Sequence, residues 1–171
     1  MKKNQYFNGS ISILVALLFL SSHTVAIYNN GYGLEAYQFL AYQNAARYAL
    51  GLPGLKWDQK LTDYAQSYAE QRRSDCQLIH SDGPYGENIF WGSGYGWSPA
   101  QAVKAWVDER KWYDHGSNSC TPGQECGHYT QIVWKTTTRV GCAKVTCDSG
   151  LGEFMICNYD PAGNYDNEEP Y

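Results

Sequence analysis

Long hydrophobic runs are almost absent from this 171-residue sequence. The one conspicuous run, residues 11–20 (ISILVALLFL), is about half of the ~20 apolar residues that a membrane-spanning helix needs. Lys2 and Lys3 precede it and residues 24–26 (TVA) follow it, an order typical of a secretory signal peptide. We therefore expect residues 1–26 to be a cleaved signal peptide and residues 27–171 to form a single domain.

Basic residues are also scarce. The chain has 13 Lys and Arg against 17 Asp and Glu, and two of the 13 lie in the predicted signal peptide. The mature domain would carry 11 basic and 17 acidic residues, a net charge of about −6. This charge argues against nucleic acid or an anionic membrane as an electrostatic partner.

Beyond residue 26 the only histidines are His80, His115 and His128, and none belongs to the HExxH motif of zinc proteases. The six cysteines all lie in the mature part, and an even number behind a signal peptide predicts three disulfides in an oxidising compartment. A cysteine nucleophile is therefore disfavoured. Six cysteines allow fifteen pairings, although Cys142 and Cys157 are equally distant from a Ser149-Gly150 turn, as a cross-strand bridge requires.

Periodicity and turn residues predict three helices and a hairpin. The first helix covers residues 34–50, Asp58 caps the second, and Ser98 with Gln101 forms a capping box for the third. The β-branched runs 140–146 and 153–159 predict a hairpin. Helices followed by a hairpin favour a layered α+β domain.

Three further segments are less regular. Residues 79–97 are rich in Gly, Ser and aromatic residues and are predicted to be a long loop. Residues 129–135 fit either a buried helical turn or a strand. Residues 161–171 (PAGNYDNEEPY) carry three acids and no basic residue, and are expected to form an extended surface tail.

Four motifs in this sequence resemble those of the CAP superfamily, and in particular the plant pathogenesis-related proteins of class 1. They are QNAARYALGLPGLKWD (43–58), HSDGPYGEN (80–88), GHYTQIVWKTT (127–137) and FMICNYDPAGNY (154–165). The resemblance extends from about Tyr37 to Tyr171 and implies a three-layer α-β-α sandwich. It also implies the disulfides Cys76–Cys147, Cys120–Cys126 and Cys142–Cys157.

The same resemblance implies that four side chains converge on a central cleft: His80, Glu87, Glu109 and His128. Two imidazoles and two carboxylates are suitable ligands for Zn²⁺ or another divalent ion, although no cofactor is expected to be required. The alternatives are a polar cluster that only fixes a loop against a helix, and a metal-dependent hydrolase or protease. Ser81 is a weak candidate nucleophile because no oriented acid completes a triad.

The chain departs from the plant pattern on the first helix. Plant members usually have a histidine where this sequence has Gln43, followed by Asn44-Ala45-Ala46-Arg47. Because that histidine is not a cleft residue, the departure concerns only polar contacts of the first helix and their response to pH.

Two segments outside the cleft are further candidates. Family members bind sterols and other apolar lipids, and the aromatic residues of the predicted loop would suit such ligands: Phe90, Trp91, Tyr95 and Trp97. The alternative is that these rings cover the core. Residues 161–171 resemble a releasable defence-signalling peptide, with Asp160 and Pro161 at the cleavage junction; the alternative is an acidic terminus without a role.

Together these observations predict a secreted, non-catalytic defence protein that sequesters sterols of fungal or oomycete membranes. We expect a monomer with no nucleic-acid partner, in the apoplast or alternatively the vacuole, and a receptor as the partner of the C-terminal peptide.

Overall fold

The computed structural model describes residues 33–171, so the predicted signal peptide lies outside the described residues. The described helices and strands, in chain order, are α1 Leu34–Tyr48, β1 Lys56–Trp57, α2 Gln59–Arg72, β2 Gly86–Gly92, α3 Pro99–Asp108, β3 Tyr113–Asp114, β4 Ser119–Cys120, α4 Gly127–Ile132, β5 Arg139–Thr146 and β6 Glu153–Asp160. Short 3-10 helices cover Glu109–Trp112 and Asp148–Gly150. No helix within residues 33–171 is long and apolar enough to cross a bilayer.

Strands β1, β5, β6 and β2 form one sheet in that order, and β3 pairs with β4 in a separate ribbon. The β1–β5 pair is parallel, whereas β5–β6 and β2–β6 are antiparallel. The predicted hairpin is confirmed as β5 and β6. Its register places Cys142 opposite Cys157, and these residues form the cross-strand disulfide.

The sheet lies between two helical layers. One face packs on α2 through a core that includes Ala65, Ala69, Phe154 and Ile156. The other face packs on α1, α3 and α4 through a larger core, with members Phe39, Val103, Trp106, Tyr129, Ile132, Val140, Met155 and Tyr159. Alternate residues of β6 thus pack into the two different cores, because successive side chains of a strand point to opposite faces of the sheet. The three-layer α-β-α sandwich is confirmed.

The helix starts follow the local signals. The side chain of Asp58 accepts a hydrogen bond from the N–H of Leu61, which caps α2. Ser98 and Gln101 form the predicted capping box at the start of α3, with Pro99 in the first turn. The remaining two disulfides, Cys76–Cys147 and Cys120–Cys126, also pair as the resemblance implied.

The prediction of one long loop over residues 79–97 is wrong in its central part, where Gly86–Gly92 is the strand β2. All seven residues of β2 pair with β6, some 70 positions further along the chain. Because that partner is so distant in sequence, local composition rich in glycine and serine did not reveal the strand. The ambiguous segment 129–135 begins within the short helix α4.

A buried cation joins α1 to the segment that follows α4. Arg47 is only 1% exposed, and its guanidinium donates hydrogen bonds to the carbonyl oxygens of Pro53, Ile132, Trp134 and Thr137 at 2.8–2.9 Å. Burial lowers the pKa of Arg47 from its ordinary value, yet an arginine remains protonated in proteins. The positive charge of Arg47 is therefore stabilised by the dipoles of backbone carbonyls. None of these four hydrogen bonds goes to a carboxylate.

We predict that Arg47→Met lowers the free energy of unfolding by about 3–5 kcal/mol, because the buried carbonyls of Ile132, Trp134 and Thr137 and the partly buried carbonyl of Pro53 lose their donor. Urea unfolding of the oxidised mature domain measures this loss. Arg73→Met is the matched control, since Arg73 forms a half-exposed pair with Glu70 and should cost less than about 1 kcal/mol. Similar small losses in both variants would contradict the prediction.

Candidate functional site

The site is built around the start of β2, at the edge of the four-stranded sheet. Glu87 and Asn88 are consecutive residues of this strand, so their side chains point to opposite faces. Glu87 contacts His80 on the face that α2 covers, whereas the amide of Asn88 donates to the carbonyl oxygen of His128 on the other face (3.0 Å). The edge position lets groups from both faces meet at one cleft.

The first half of the cleft is a histidine paired with a nearly buried carboxylate. His80 Nδ1 lies 2.8 Å from Glu87 Oε1, and the carboxylate also accepts bonds from the N–H and hydroxyl of Ser81 and from the amide of Asn158. The side chain of Glu87 is 6% exposed and that of His80 is 55% exposed. Asn158 is directly opposite Glu87 in the sheet, so strand register holds this half in place.

The two groups shift each other's pKa. The hydrogen bond with Glu87 raises the pKa of His80 above its ordinary value of 6.5. Burial alone would raise the pKa of Glu87, but hydrogen bonds from His80, Ser81 and Asn158 outweigh it and hold the pKa below its ordinary value of 4.5. The pair is therefore charged over a wider pH range than free side chains would be.

The second half of the cleft depends on a helix cap. Glu109, the first residue after α3, accepts bonds from the backbone N–H of His128 (3.1 Å) and of Tyr129 (3.2 Å). These N–H groups lie in the first turn of α4, where no helical acceptor is available. The other oxygen of Glu109 lies 2.6 Å from His128 Nδ1, and the indole of Trp106 stacks on the imidazole.

A cavity of ≈ 150 Å³ lies between the two halves. Its lining residues are His80, Glu87, Asn88, Glu125, Gly127, His128 and Asn164. Glu109 is not among them; it lies behind His128 and positions it. Sequence reasoning missed Asn88, Glu125 and Asn164 as cleft residues, although Asn88 directly follows Glu87 in the GEN motif and Asn164 belongs to the PAGNY motif.

The four side chains expected to bind a metal ion are largely engaged with one another. Glu87 and Glu109 each contact an imidazole Nδ1, which leaves one nitrogen, Nε2, on each histidine. The third carboxylate of the cavity, Glu125, accepts bonds from the backbone N–H groups of Cys126 and Gly127. Within residues 33–171, no three or more His, Cys, Asp or Glu side chains form a group that could hold a metal ion. The two remaining imidazole nitrogens are fewer than the three protein ligands of a catalytic zinc site, so the cleft as arranged does not supply that ligand set.

The geometry likewise gives no support to a serine hydrolase. The hydroxyl of Ser81 is bonded to the carboxylate of Glu87 and to the hydroxyl of Tyr64 (3.2 Å). In the Ser-His-Asp arrangement the nucleophilic hydroxyl is hydrogen-bonded to an imidazole base, and neither of these partners is an imidazole.

The predicted lipid-binding aromatics divide into two pairs. Phe90, on β2, and Trp97 pack edge to face at 5.3 Å against the larger core, so they cover it. Trp91, also on β2, is 40% exposed and Tyr95 is 72% exposed. The indole of Trp91 donates to the carbonyl oxygen of Leu151, which is 43% exposed. We call Trp91, Tyr95 and Leu151 the aromatic patch; along β2, Trp91 is about 13 Å from Glu87.

Gln43 lies in the larger core and not among the residues that line the cleft. Its amide donates to the carbonyl oxygen of Phe39 (3.0 Å) and lies 3.8 Å from the sulfur of Cys157. Its own carbonyl oxygen is buried and has no hydrogen-bond partner among residues 33–171. The substitution of the usual histidine therefore affects packing of α1 over the Cys142–Cys157 bridge.

Comparisons with known proteins agree with this architecture. Residues 40–159 match the model of the cysteine-rich secretory protein family, CAP. The chain is 57% identical over 167 residues to pathogenesis-related protein PR-1 of Medicago truncatula, covering 95% of this chain and 96% of that protein. It is 53% identical over 133 residues to pathogenesis-related protein 1A of Nicotiana tabacum, covering 78% and 79%.

A solved structure shares the fold. The crystal structure of NaASP2 with Zn²⁺ has a TM-score of 0.64 and 26% identity, and the match covers 84% of this chain and 88% of that one.

We predict that the His80–Glu87 pair stabilises the domain most between about pH 4.5 and 6.5. The raised pKa of His80 gives stability that is present below 6.5 and is lost as pH rises through the folded value. The lowered pKa of Glu87 gives stability that is present above 4.5 and is lost as pH falls through the folded value.

The measurement is the difference in unfolding free energy between wild type and Glu87→Gln from pH 3 to 9. The difference should be largest inside the window and shrink on both sides. Glu70→Gln, which alters a surface pair, is the control. If the loss of unfolding free energy in Glu87→Gln does not vary with pH, the proposed stabilisation by a charged His80–Glu87 pair is refuted.

Proposed function

Because the chain belongs to the CAP family, and within it to the plant pathogenesis-related proteins of class 1, we propose that it is a secreted defence protein that binds sterols or other apolar lipids of pathogen membranes. The aromatic patch is the observation that carries this proposal. Three disulfides suit the oxidising space outside the cell, where the apoplast is the expected location and the vacuole the alternative.

The composition of the patch suits a sterol. Trp and Tyr combine a large apolar ring with one polar group, and they favour the boundary between water and lipid. The indole N–H of Trp91 is satisfied by the carbonyl of Leu151, so its ring can enter an apolar phase without an unpaired donor. Since the mature domain is acidic, apolar contact rather than charge must supply the affinity for a membrane.

We predict that the mature protein binds vesicles of phosphatidylcholine with ergosterol more tightly than vesicles without it. Replacing both exposed rings (Trp91→Ser with Tyr95→Ser) should weaken this binding by about a hundredfold or more, since each ring buried in the bilayer contributes roughly 1.5–3 kcal/mol. Tyr42→Ser removes a similarly exposed ring on α1 and should leave binding unchanged.

Equal binding with and without ergosterol would refute sterol recognition. Equal binding by wild type and the double variant would refute the patch as its site.

We further propose that residues 161–171 are a releasable defence signal. The segment begins with Pro161, contains Gly163-Asn164 and ends with Pro170-Tyr171, and it follows Asp160, the last residue of β6. Most of it is exposed and none of it forms a helix or strand.

A synthetic peptide of residues 161–171 should induce defence-gene expression in leaf tissue, measured against a scrambled peptide of the same composition. Because a receptor would read the order of side chains, the scrambled peptide should be inactive. Equal responses to the two peptides would exclude a specific signal in this segment.

A further inference from the structure

The C-terminal tail, residues 161–171, is held to the body of the protein at both of its ends. Near its start, Asn164 donates to the carbonyl oxygen of Gly127 and accepts from the hydroxyl of Thr130, both at 2.8 Å. Gly127 and Thr130 belong to α4, the helix that carries His128. Asn164 is therefore hydrogen-bonded to the turn of α4 that carries His128.

A second contact links the tail to the start of β2. The N–H of Gly163 donates to the side-chain oxygen of Gln131 (3.0 Å), and Gln131 is buried. A Cβ at Gly86 would lie 2.0 Å from that same oxygen, so Gln131 presses against the residue that precedes Glu87. A Cβ at Gly163 would lie 2.5 Å from the indole of Trp134, so this docking requires glycine.

The end of the tail is fixed by aromatic stacking. Tyr171 stacks on His115 with ring centres 4.4 Å apart, and its ring meets Tyr113 edge to face. The carbonyl oxygen of the buried Pro170 accepts a bond from the N–H of Lys135 (2.6 Å). His115, the one mature histidine outside the cleft, thus serves as a platform for the C-terminal residue.

The proposed cleavage junction is also restrained. Asp160 pairs with Arg139 in the sheet, through both the strand register and the side chains. The carbonyl oxygen of Pro161 accepts from the hydroxyl of Thr137 (2.8 Å). A protease needs a segment free to enter its own active site, so cutting here requires local opening of the tail.

We propose that the tail is a wall of the His80/His128 cleft, positioned by Asn164, and that release of the tail and an intact cleft are mutually exclusive. Asn164 lines the ≈ 150 Å³ cavity together with His80, Glu87 and His128. It also lines an adjoining cavity of ≈ 240 Å³, with Gly163 and Gln131. The tail detaches from the body of the protein before a protease cuts it. Its loss removes Asn164 from the lining of the cavity and removes the hydrogen bonds of Asn164 to α4. This inference rests on the proposed release of residues 161–171.

The test uses the full oxidised mature chain and three readouts. Nuclear magnetic resonance follows amide hydrogen exchange at Gly163 and Lys135, whose N–H groups make the docking bonds, and the ring signals of His80 and His128. Subtilisin cleavage within residues 161–171, followed by mass spectrometry, reports access to the tail.

Asn164→Ala and Tyr171→Ala should each speed exchange and cleavage by about tenfold, as expected for losing two hydrogen bonds or a ring stack. Both should also shift the ring signals of His80 and His128. Tyr171→Phe keeps the stack on His115 and loses only the 3.5 Å contact between the hydroxyls of Tyr171 and Tyr129, so its effect should be much smaller than that of Tyr171→Ala. Glu169→Ala changes an exposed tail residue and should alter no readout. Unfolding curves for each variant confirm that the body remains folded.

Faster exchange at Gly163 with unchanged histidine signals would overturn the coupling between tail and cleft. Equal cleavage of wild type and both alanine variants would overturn the requirement for undocking. An inert synthetic peptide would refute only the signalling proposal, because exchange, ring signals and cleavage do not depend on a receptor.

Discussion

The antiparallel pairing of β2 with β6 is the constraint on which the site depends. It places Glu87 opposite Asn158 and anchors the start of β2 at the edge of the sheet, where both faces are accessible. Consecutive residues of the strand then point to opposite faces, which brings His80, from the segment between α2 and β2, and His128, from α4, to one cleft. The Cys142–Cys157 bridge fixes β6 to β5 in the same register.

Each half of the cleft uses a carboxylate to orient an imidazole. Glu87 is hydrogen-bonded to His80, Ser81 and Asn158, whereas Glu109 caps α4 and is hydrogen-bonded to the His128 ring. Carboxylates used in this way hold the rings in fixed orientations and leave Nε2 of each as the remaining polar atom. This accounts for an ordered polar cleft without a preformed set of metal ligands.

The chain separates its candidate functions in space. The aromatic patch lies at one end of β2 and the His/Glu cleft at the other, so a lipid contact and the cleft can operate without sharing residues. The tail, by contrast, shares Asn164 with the cleft and contacts the helix that carries His128. Peptide release would therefore affect the cleft, whereas the patch, at the other end of β2, includes no tail residue.

The sequence by itself determined the elements whose signals are local. Asp58 and Ser98 predicted two helix starts, and the β-branched runs predicted the β5–β6 hairpin, because caps and turns act within a few residues. The family resemblance supplied His80, Glu87, Glu109 and His128 and all three disulfide pairings, and the spacing of Cys142 and Cys157 about the turn was consistent with one of them. Only the tertiary structure decided that residues 86–92 form a strand, since their partner is about 70 positions away. It alone also gave Asn164 a place in the cleft and made His115 the platform for Tyr171, because burial and long-range contacts depend on the packing of the whole chain.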